Sequence, residues 1–85
     1  MKLRVMYFAG LREQVGTSAE ELELPAGVAT LGGLRSHLIS RGGAWQSAFA
    51  EARLVRMAVN QNMAQAATPI RSGDEVAFFP PVTGG

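Results

Sequence analysis

The chain has 85 residues and a mass of 9.0 kDa, and 47% of its residues are hydrophobic. This length corresponds to one small domain whose modest core leaves little stability for a deep, enclosed active site. Eight Lys and Arg against seven Asp and Glu give a net charge of +1, which argues against nucleic-acid binding because such proteins carry a clustered basic surplus. The absence of cysteine excludes disulfides, thiol nucleophiles and Cys-ligated zinc, and a single histidine nearly excludes a His-rich metal site or a Ser-His-Asp triad.

No apolar run approaches the roughly 18 residues that a membrane-spanning helix requires. The first eight residues contain basic side chains within their apolar stretch, and no small-residue cleavage site follows them. This pattern predicts a first strand rather than a signal peptide. Together with the lack of cysteine, it indicates a cytoplasmic protein that does not bind membranes.

The first predicted element is a β-strand over residues 2–8, where the side chains alternate. One face carries Leu3, Val5 and Tyr7, and the other carries Met6 and Phe8. Apolar residues on both faces at the far end indicate a strand that is paired on both sides within a sheet. A short helical turn over residues 11–15, closed by Gly16, and a second strand over residues 20–24 are predicted next.

Two helices are predicted in the middle of the chain. Thr30 can cap a main helix that runs to about Arg41, with leucines at helical spacing on its inner face. His37 lies off that apolar stripe and is expected on the outer side of the helix rather than in a catalytic site. A shorter helix is predicted over residues 44–53, where Trp45 begins a second apolar stripe.

The remaining elements are strands. They are predicted over residues 55–60, 63–67 and 75–79, and the last is stopped by Pro80 and Pro81. This order predicts an α+β fold, in which a mixed sheet of four to five strands carries a main helix and a short second helix on one face. We expect one domain over residues 1–79, followed by an extended tail over residues 80–85.

The predicted tail is the most informative segment. Pro80 and Pro81 fix φ and lack an N–H donor, so the chain leaves the last strand as a stiff, polyproline-like segment. Val82 and Thr83 keep it extended, and six residues span at most about 20 Å. Gly84 and Gly85 then provide a terminus without side chains, which suits insertion into a narrow pocket of another protein. The alternative is a frayed terminus of small residues.

The α-carboxylate of Gly85 is a poor electrophile, with a reference pKa of roughly 3.5. Adenylation by ATP on a partner enzyme would convert it to an activated acyl group. Sulfide could then displace AMP to give a thiocarboxylate, or an amine could displace AMP to give an isopeptide. A Cβ at position 84 or 85 would obstruct entry into a narrow pocket of the partner enzyme and would restrict the backbone angle φ, so glycine suits both positions.

Phe78 and Phe79 are adjacent in the last strand and therefore face opposite sides of the sheet. One is predicted to fill the core, and the other to lie on the opposite face or near its rim. We assign Phe78 and Phe79 to a partner interface, because an exposed aromatic ring beside the tail would form part of one. The alternative is that a loop or the helix of Trp45 covers the second ring.

These residues resemble the sulfur-carrying small subunits of molybdopterin synthase, a family within the ubiquitin-like β-grasp superfamily. The resemblance covers nearly the whole chain. It includes Phe8-Ala9 followed by Leu11-Arg12-Glu13, the turn Val59-Asn60-Gln61 and, most specifically, residues 73–85 with the sequence GDEVAFFPPVTGG.

The resemblance implies a β-grasp fold and a carrier rather than a free-standing catalyst. An activating enzyme would use ATP to form a transient acyl-adenylate at Gly85, with no permanently bound cofactor or metal. A sulfur donor protein would then supply sulfur for the Gly85 thiocarboxylate. The tail, Pro80 to Gly85, would enter the active site of the large subunit, which holds the catalytic side chains, and donate sulfur to cyclic pyranopterin monophosphate. Each pterin would receive sulfur twice, and the assembled synthase would be a heterotetramer with two small subunits.

Three other functions compete with this interpretation. A sulfur carrier for thiamine thiazole synthesis also ends in two glycines, although those chains are usually shorter and fit residues 78–83 less well. A ubiquitin-like modifier would be joined to lysines of target proteins through Gly85. A plain interaction domain would have no chemistry at its C-terminus.

Overall fold

The computed structural model of the chain describes residues 1–81. Its helices and strands are β1 (Lys2–Tyr7), α1 (Ala9–Val15), β2 (Ala19–Glu23), α2 (Leu31–Ile39), α3 (Gly43–Phe49), β3 (Arg56–Val59), β4 (Asn62–Ala64) and β5 (Glu75–Phe79). The strand order is β2-β1-β5-β3-β4, with β1 and β5 parallel and the other pairs antiparallel. The predicted α+β architecture with a mixed sheet is therefore confirmed. The sheet has five strands, where four to five were predicted.

The core lies between one face of the sheet and the helices. Alternate residues of β1 and β5 point into it, and the three leucines of the α2 stripe are fully buried against them. Leu11 of α1 and Phe49 of α3 belong to the same cluster. Because all three helices contribute to this one core, they cover a single face of the sheet. We call the other side the open face.

Two helices differ from the predicted ones. Residues 9–15 form a complete short helix, α1, so the described residues contain three helices rather than two. The helix predicted over residues 44–53 ends at Phe49, because Ala50 adopts an extended backbone with ψ of 143°. Arg35 binds the carbonyl oxygens of Phe49, Ala50 and Arg53 at 2.7–2.8 Å and holds the chain in a turn there.

Strand β4 is also shorter than predicted and ends at Ala64 rather than at residue 67. A turn competes with the strand at this point. The N–H of Thr68 donates to the carbonyl oxygen of Gln65 at 3.0 Å, and the N–H of Gln65 donates to Thr68 Oγ1 at 3.0 Å. Side-chain hydrogen bonds of this kind offer the backbone an alternative to a strand ladder. None of the helices within residues 1–81 is long and apolar enough to cross a membrane.

A polar network links the first two strands to the end of α2. The buried hydroxyl of Tyr7 donates to Glu20 Oε2 at 2.8 Å, and Arg41 donates to both Glu20 oxygens at 2.9 and 3.0 Å. The Arg41 guanidinium lies 4.4 Å from the centre of the Trp45 ring. The hydrogen bonds from Arg41 hold the pKa of Glu20 below its ordinary value, while burial raises the pKa of Tyr7.

This network predicts a specific loss of stability in acid. A carboxyl whose pKa is lower in the folded state contributes stability above its unfolded pKa of about 4.3, and that stability is lost as pH falls through the folded pKa. Substituting Glu20→Gln removes this titration. We therefore expect melting temperature to fall less between pH 5 and pH 2 in Glu20→Gln than in the parent chain, although the variant is less stable at pH 7. Equal acid dependence in the two proteins would show that Glu20 does not contribute to it.

Candidate functional site

The base of the tail lies at the end of β5. Val76 and Phe78 are fully buried, whereas Phe79 is half-buried on the open face. The prediction that one phenylalanine fills the core and the other faces the opposite side is thus confirmed. The structure corrects the assignment of Phe78 to a partner interface, because a side chain with no exposed surface cannot contact a partner directly. Only Phe79 remains available for that role.

A second exposed aromatic ring lies beside Phe79. Phe8 follows β1 directly and has 43% of its surface exposed, and its ring centre lies 6.4 Å from that of Phe79 in an edge-to-face arrangement. The two meet because β1 and β5 are parallel neighbours whose carboxyl ends reach the same edge of the sheet. The N–H of Phe8 also donates to the carbonyl oxygen of Phe78 at 3.1 Å. Sequence reasoning missed this pair, although the alternation that placed Phe8 on the second face was the available signal.

The open face carries an apolar row that crosses all five strands. The residues paired in register along it are Ala19, Met6, Ala77, Ala58 and Met63. Met63 has 57% of its surface exposed at the β4 edge. Phe8 and Phe79 extend the same apolar surface toward the tail. No helix of the described residues covers this face, so the surface is available to another protein.

Charged side chains border the apolar row on the side away from the tail. Arg4 is paired in register with Glu21 on one side and with Glu75 on the other, and Lys2 Nζ lies 3.1 Å from Glu21 Oε2. The open face therefore carries its aromatic pair near the tail, where the exposed Arg56 is paired in register with Phe79, and several charged side chains at its opposite end. A partner that binds the aromatic pair would be brought next to the tail.

A groove of about 660 Å³ lies on the other side of the base of the tail. Its walls come from α1, from the segment between α3 and β3 and from Pro80 and Pro81 themselves. Most of the side chains that line it are apolar, and Leu54 is the most exposed of the large apolar residues in the described chain, at 78%. The base of the tail thus lies between two apolar surfaces.

The tail itself is only partly described. Strand β5 ends at Phe79, immediately before Pro80, and Pro80 and Pro81 are half-buried. The predicted tail residues Val82, Thr83, Gly84 and Gly85 lie outside the described residues. Within residues 1–81, no group of three His, Asp or Glu side chains could hold a metal ion. His37 lies in the last turn of α2 and is half-buried.

The described residues near the tail provide contact surface rather than reactive groups. Phe8, Phe79 and Leu54 are apolar, and the titratable groups with shifted pKa values belong to the Tyr7–Glu20–Arg41 network or to Arg35. Each of these side chains has hydrogen-bond partners within the fold. The described residues near the tail therefore offer apolar surface for contact with another protein.

Comparisons with known proteins agree with this geometry. A model of the ThiS family matches residues 5–85. The molybdopterin synthase sulfur carrier subunit of Escherichia coli K12 is 43% identical over 83 residues, which cover 98% of this chain and 99% of that protein. A putative molybdopterin converting factor subunit 1 from Pyrococcus furiosus has a similar structure, with a TM-score of 0.78, 32% identity and coverage of 96% and 99% of the two chains. SAMP1 from Haloferax volcanii shares the fold over the full length of both chains, with a TM-score of 0.76 and 24% identity.

Proposed function

The chain belongs to the ThiS family, and on that premise we propose that it is the sulfur carrier subunit of a molybdopterin synthase. The observation that carries this proposal is the 43% identity to the Escherichia coli carrier over nearly the full length of both chains. The geometry adds physical support. The fold presents two apolar surfaces at the base of a Pro-Pro-Val-Thr-Gly-Gly segment, which a carrier that passes between enzymes needs.

The first proposed step activates the carboxylate of Gly85. A carboxylate oxygen attacks the α-phosphorus of ATP on an activating enzyme, which forms an acyl-adenylate and releases pyrophosphate. Hydrosulfide, supplied by a sulfur donor protein, then attacks the acyl carbon and displaces AMP. The product is a thiocarboxylate at Gly85. No side chain of this chain takes part in either bond change, and ATP is consumed rather than held as a resident cofactor.

The second proposed step takes place on the large subunit. Residues 80–85 enter its active site, and the thiocarboxylate sulfur attacks a side-chain carbon of cyclic pyranopterin monophosphate and displaces the oxygen bonded there, so one C–S bond forms as one C–O bond breaks. Water then cleaves the bond between sulfur and the acyl carbon, which returns Gly85 to a carboxylate. Two such transfers build one dithiolene, so a synthase with two carriers and two large subunits fits the stoichiometry. The catalytic side chains of this step belong to the large subunit.

Intact-mass measurement tests the proposed activation. The chain is incubated with the activating enzyme, ATP and sulfide, and a gain of about 16 Da located at Gly85 is expected because sulfur replaces oxygen. A ladder of heavier conjugates with other proteins would instead indicate a protein modifier. An unchanged mass, under conditions in which the Escherichia coli carrier is converted, would contradict the proposal.

Phe79→Asp is expected to weaken binding to the large subunit by at least about tenfold. A carboxylate at this position removes the ring that packs edge-to-face on Phe8, and it would have to lose its hydration in the interface even with Arg56 beside it. Melting temperature should change little, since Phe79 is half-buried on the open face and not in the core. Ala26→Asp, an exposed substitution in the turn after β2 at the opposite end of the sheet, is the matched control. A large fall in melting temperature with unchanged affinity of the folded chain would show that Phe79 is a core residue.

A further inference from the structure

The groove beside the base of the tail lies outside the open face, and its walls come from three separate segments of the chain. Gly10 and Glu13 of α1 form one side, Ala52 to Leu54 form the other, and Pro80 and Pro81 close one end. Its floor includes Leu11 and Ala48, which belong to or adjoin the buried core. Leu54 projects into solvent beside this cavity although it is a large aliphatic residue. Because Leu54 is one of several apolar residues that line the groove, it belongs to an apolar surface and is not an isolated exposed leucine.

The length of the tail determines what must cover this groove. Only four residues, Val82 to Gly85, separate Pro81 from the Gly85 carboxylate, and four extended residues span about 14 Å at most. An enzyme that encloses the Gly85 carboxylate must therefore bring its own surface to within that distance of Pro81. Since Pro80 and Pro81 line the groove, an enzyme that surrounds the tail on all sides also lies close to the groove.

Arg35 holds the outer wall of the groove in place. It extends from α2 and donates from Nε to the carbonyl oxygen of Phe49 at 2.8 Å and from Nη2 to those of Ala50 and Arg53 at 2.7 Å. These three bonds replace the helical ones that end with α3 and fix the turn that precedes Leu54. Hydrogen bonds from a charged donor are stronger than neutral ones, so this turn is well anchored for a surface segment.

We propose that this groove is a second docking surface for the large subunit, which inserts a projecting apolar side chain between Leu54 and Pro81, and that Arg35 is the positioning residue for it. The inference rests on the proposed function. Exposed Glu13 and Arg53 lie at opposite sides of the groove and carry opposite charges. Complementary charges on the large subunit would orient the inserted side chain. The carrier is then held on both sides of its tail, by Phe8 and Phe79 on the open face and by the groove on the other side.

The test is binding of the carrier, with Gly85 as an ordinary carboxylate, to the purified large subunit. Leu54→Asp is expected to raise Kd by about tenfold or more, with an unchanged melting temperature. Ala26→Asp, at the far end of the sheet, is the matched control and should bind like the parent chain. A parent-like Kd for Leu54→Asp, or an effect on the activating enzyme alone, overturns the docking surface and leaves the proposed function intact. Failure of the parent chain to bind at all would contradict both.

A double-mutant cycle between Arg35 and Leu54 tests the role of Arg35. Arg35→Met should raise Kd severalfold, and Arg35→Lys should restore part of the affinity because an ammonium can still bind one or two of the carbonyls. In a Leu54→Asp background, Arg35→Met should lower the melting temperature by as much as it does in the parent chain. It should add little further loss of affinity. Additive losses of affinity would show that Arg35 acts on overall stability and not on the groove.

Discussion

Deletion of Gly85 is expected to reduce sulfur transfer to the pterin by more than about a hundredfold while leaving the fold intact. The truncated chain still ends in a glycine carboxylate, but that carboxylate is drawn back by about 3.5 Å along an extended tail. Misplacement of a reacting group by even about 1 Å can cost a hundredfold in rate. Rates of thiocarboxylate formation and of molybdopterin production, each measured with saturating partner enzymes, give the result.

The matched control for this deletion is Thr83→Ser, which alters the tail but keeps its length and both glycines. It should retain most of the activity, and both variants should melt at the temperature of the parent chain, because both keep every residue of the core cluster described between Leu3 and Phe78. Pterin-forming activity that is undiminished after the deletion would contradict the proposed role of Gly85.

Phe78→Ala is expected to produce the largest loss of stability, about 3–5 kcal/mol. The Phe78 ring is fully buried, and its centre lies 5.0 Å from that of Phe49 and 6.2 Å from that of Tyr7. The truncation therefore leaves a cavity where β5, β1 and α3 meet. A loss of this size approaches the whole stability of a small domain, for which about 5 kcal/mol is a common lower value. Urea denaturation monitored through Trp45 fluorescence measures the change.

The matched comparison is Phe79→Ala, one residue further along the same strand. Its ring is half-buried on the open face, so its truncation should cost less than about 1 kcal/mol of unfolding free energy. The two variants differ only in which face of β5 loses its ring. Equal losses for the two would contradict the burial pattern of this strand and the assignment of Phe79 to the docking surface.

Sequence periodicity was sufficient for much of the fold. Alternation separated the two faces of β1 and of β5, the leucine stripe identified α2, and Pro80 correctly marked the end of the last strand, but only the structure shows that Phe78 is the buried ring of β5. These features are local, because each depends on the geometry of a single strand or helix. The α+β class followed from the order of these elements.

The features that sequence reasoning missed depend on contacts between distant residues. Helix α3 ends at Phe49 because a side chain from α2, Arg35, binds the carbonyls that another turn of helix would have used. Phe8 and Phe79 form one aromatic cluster only because β1 and β5 pair in parallel across the whole length of the chain. Periodicity within a segment contains no information about such partners.

The scarcity of reactive groups in this chain agrees with a carrier role. An 85-residue chain without cysteine has no side-chain thiol to carry sulfur. In the proposed cycle the sulfur is bonded to the backbone acyl carbon of Gly85 instead, so the domain needs only to dock and to present residues 80–85. The open face and the groove both lie at the base of that segment.

The central claim is that Gly85 delivers sulfur to a pterin, and a single-turnover reaction tests it most directly. The thiocarboxylated chain is mixed with the large subunit and cyclic pyranopterin monophosphate, and both protein mass and pterin product are followed. We predict that the chain loses about 16 Da as sulfur is replaced by oxygen, and that two chains are consumed for each molybdopterin formed. A thiocarboxylate that persists in the presence of the large subunit and the pterin, with no molybdopterin produced, would contradict the claim.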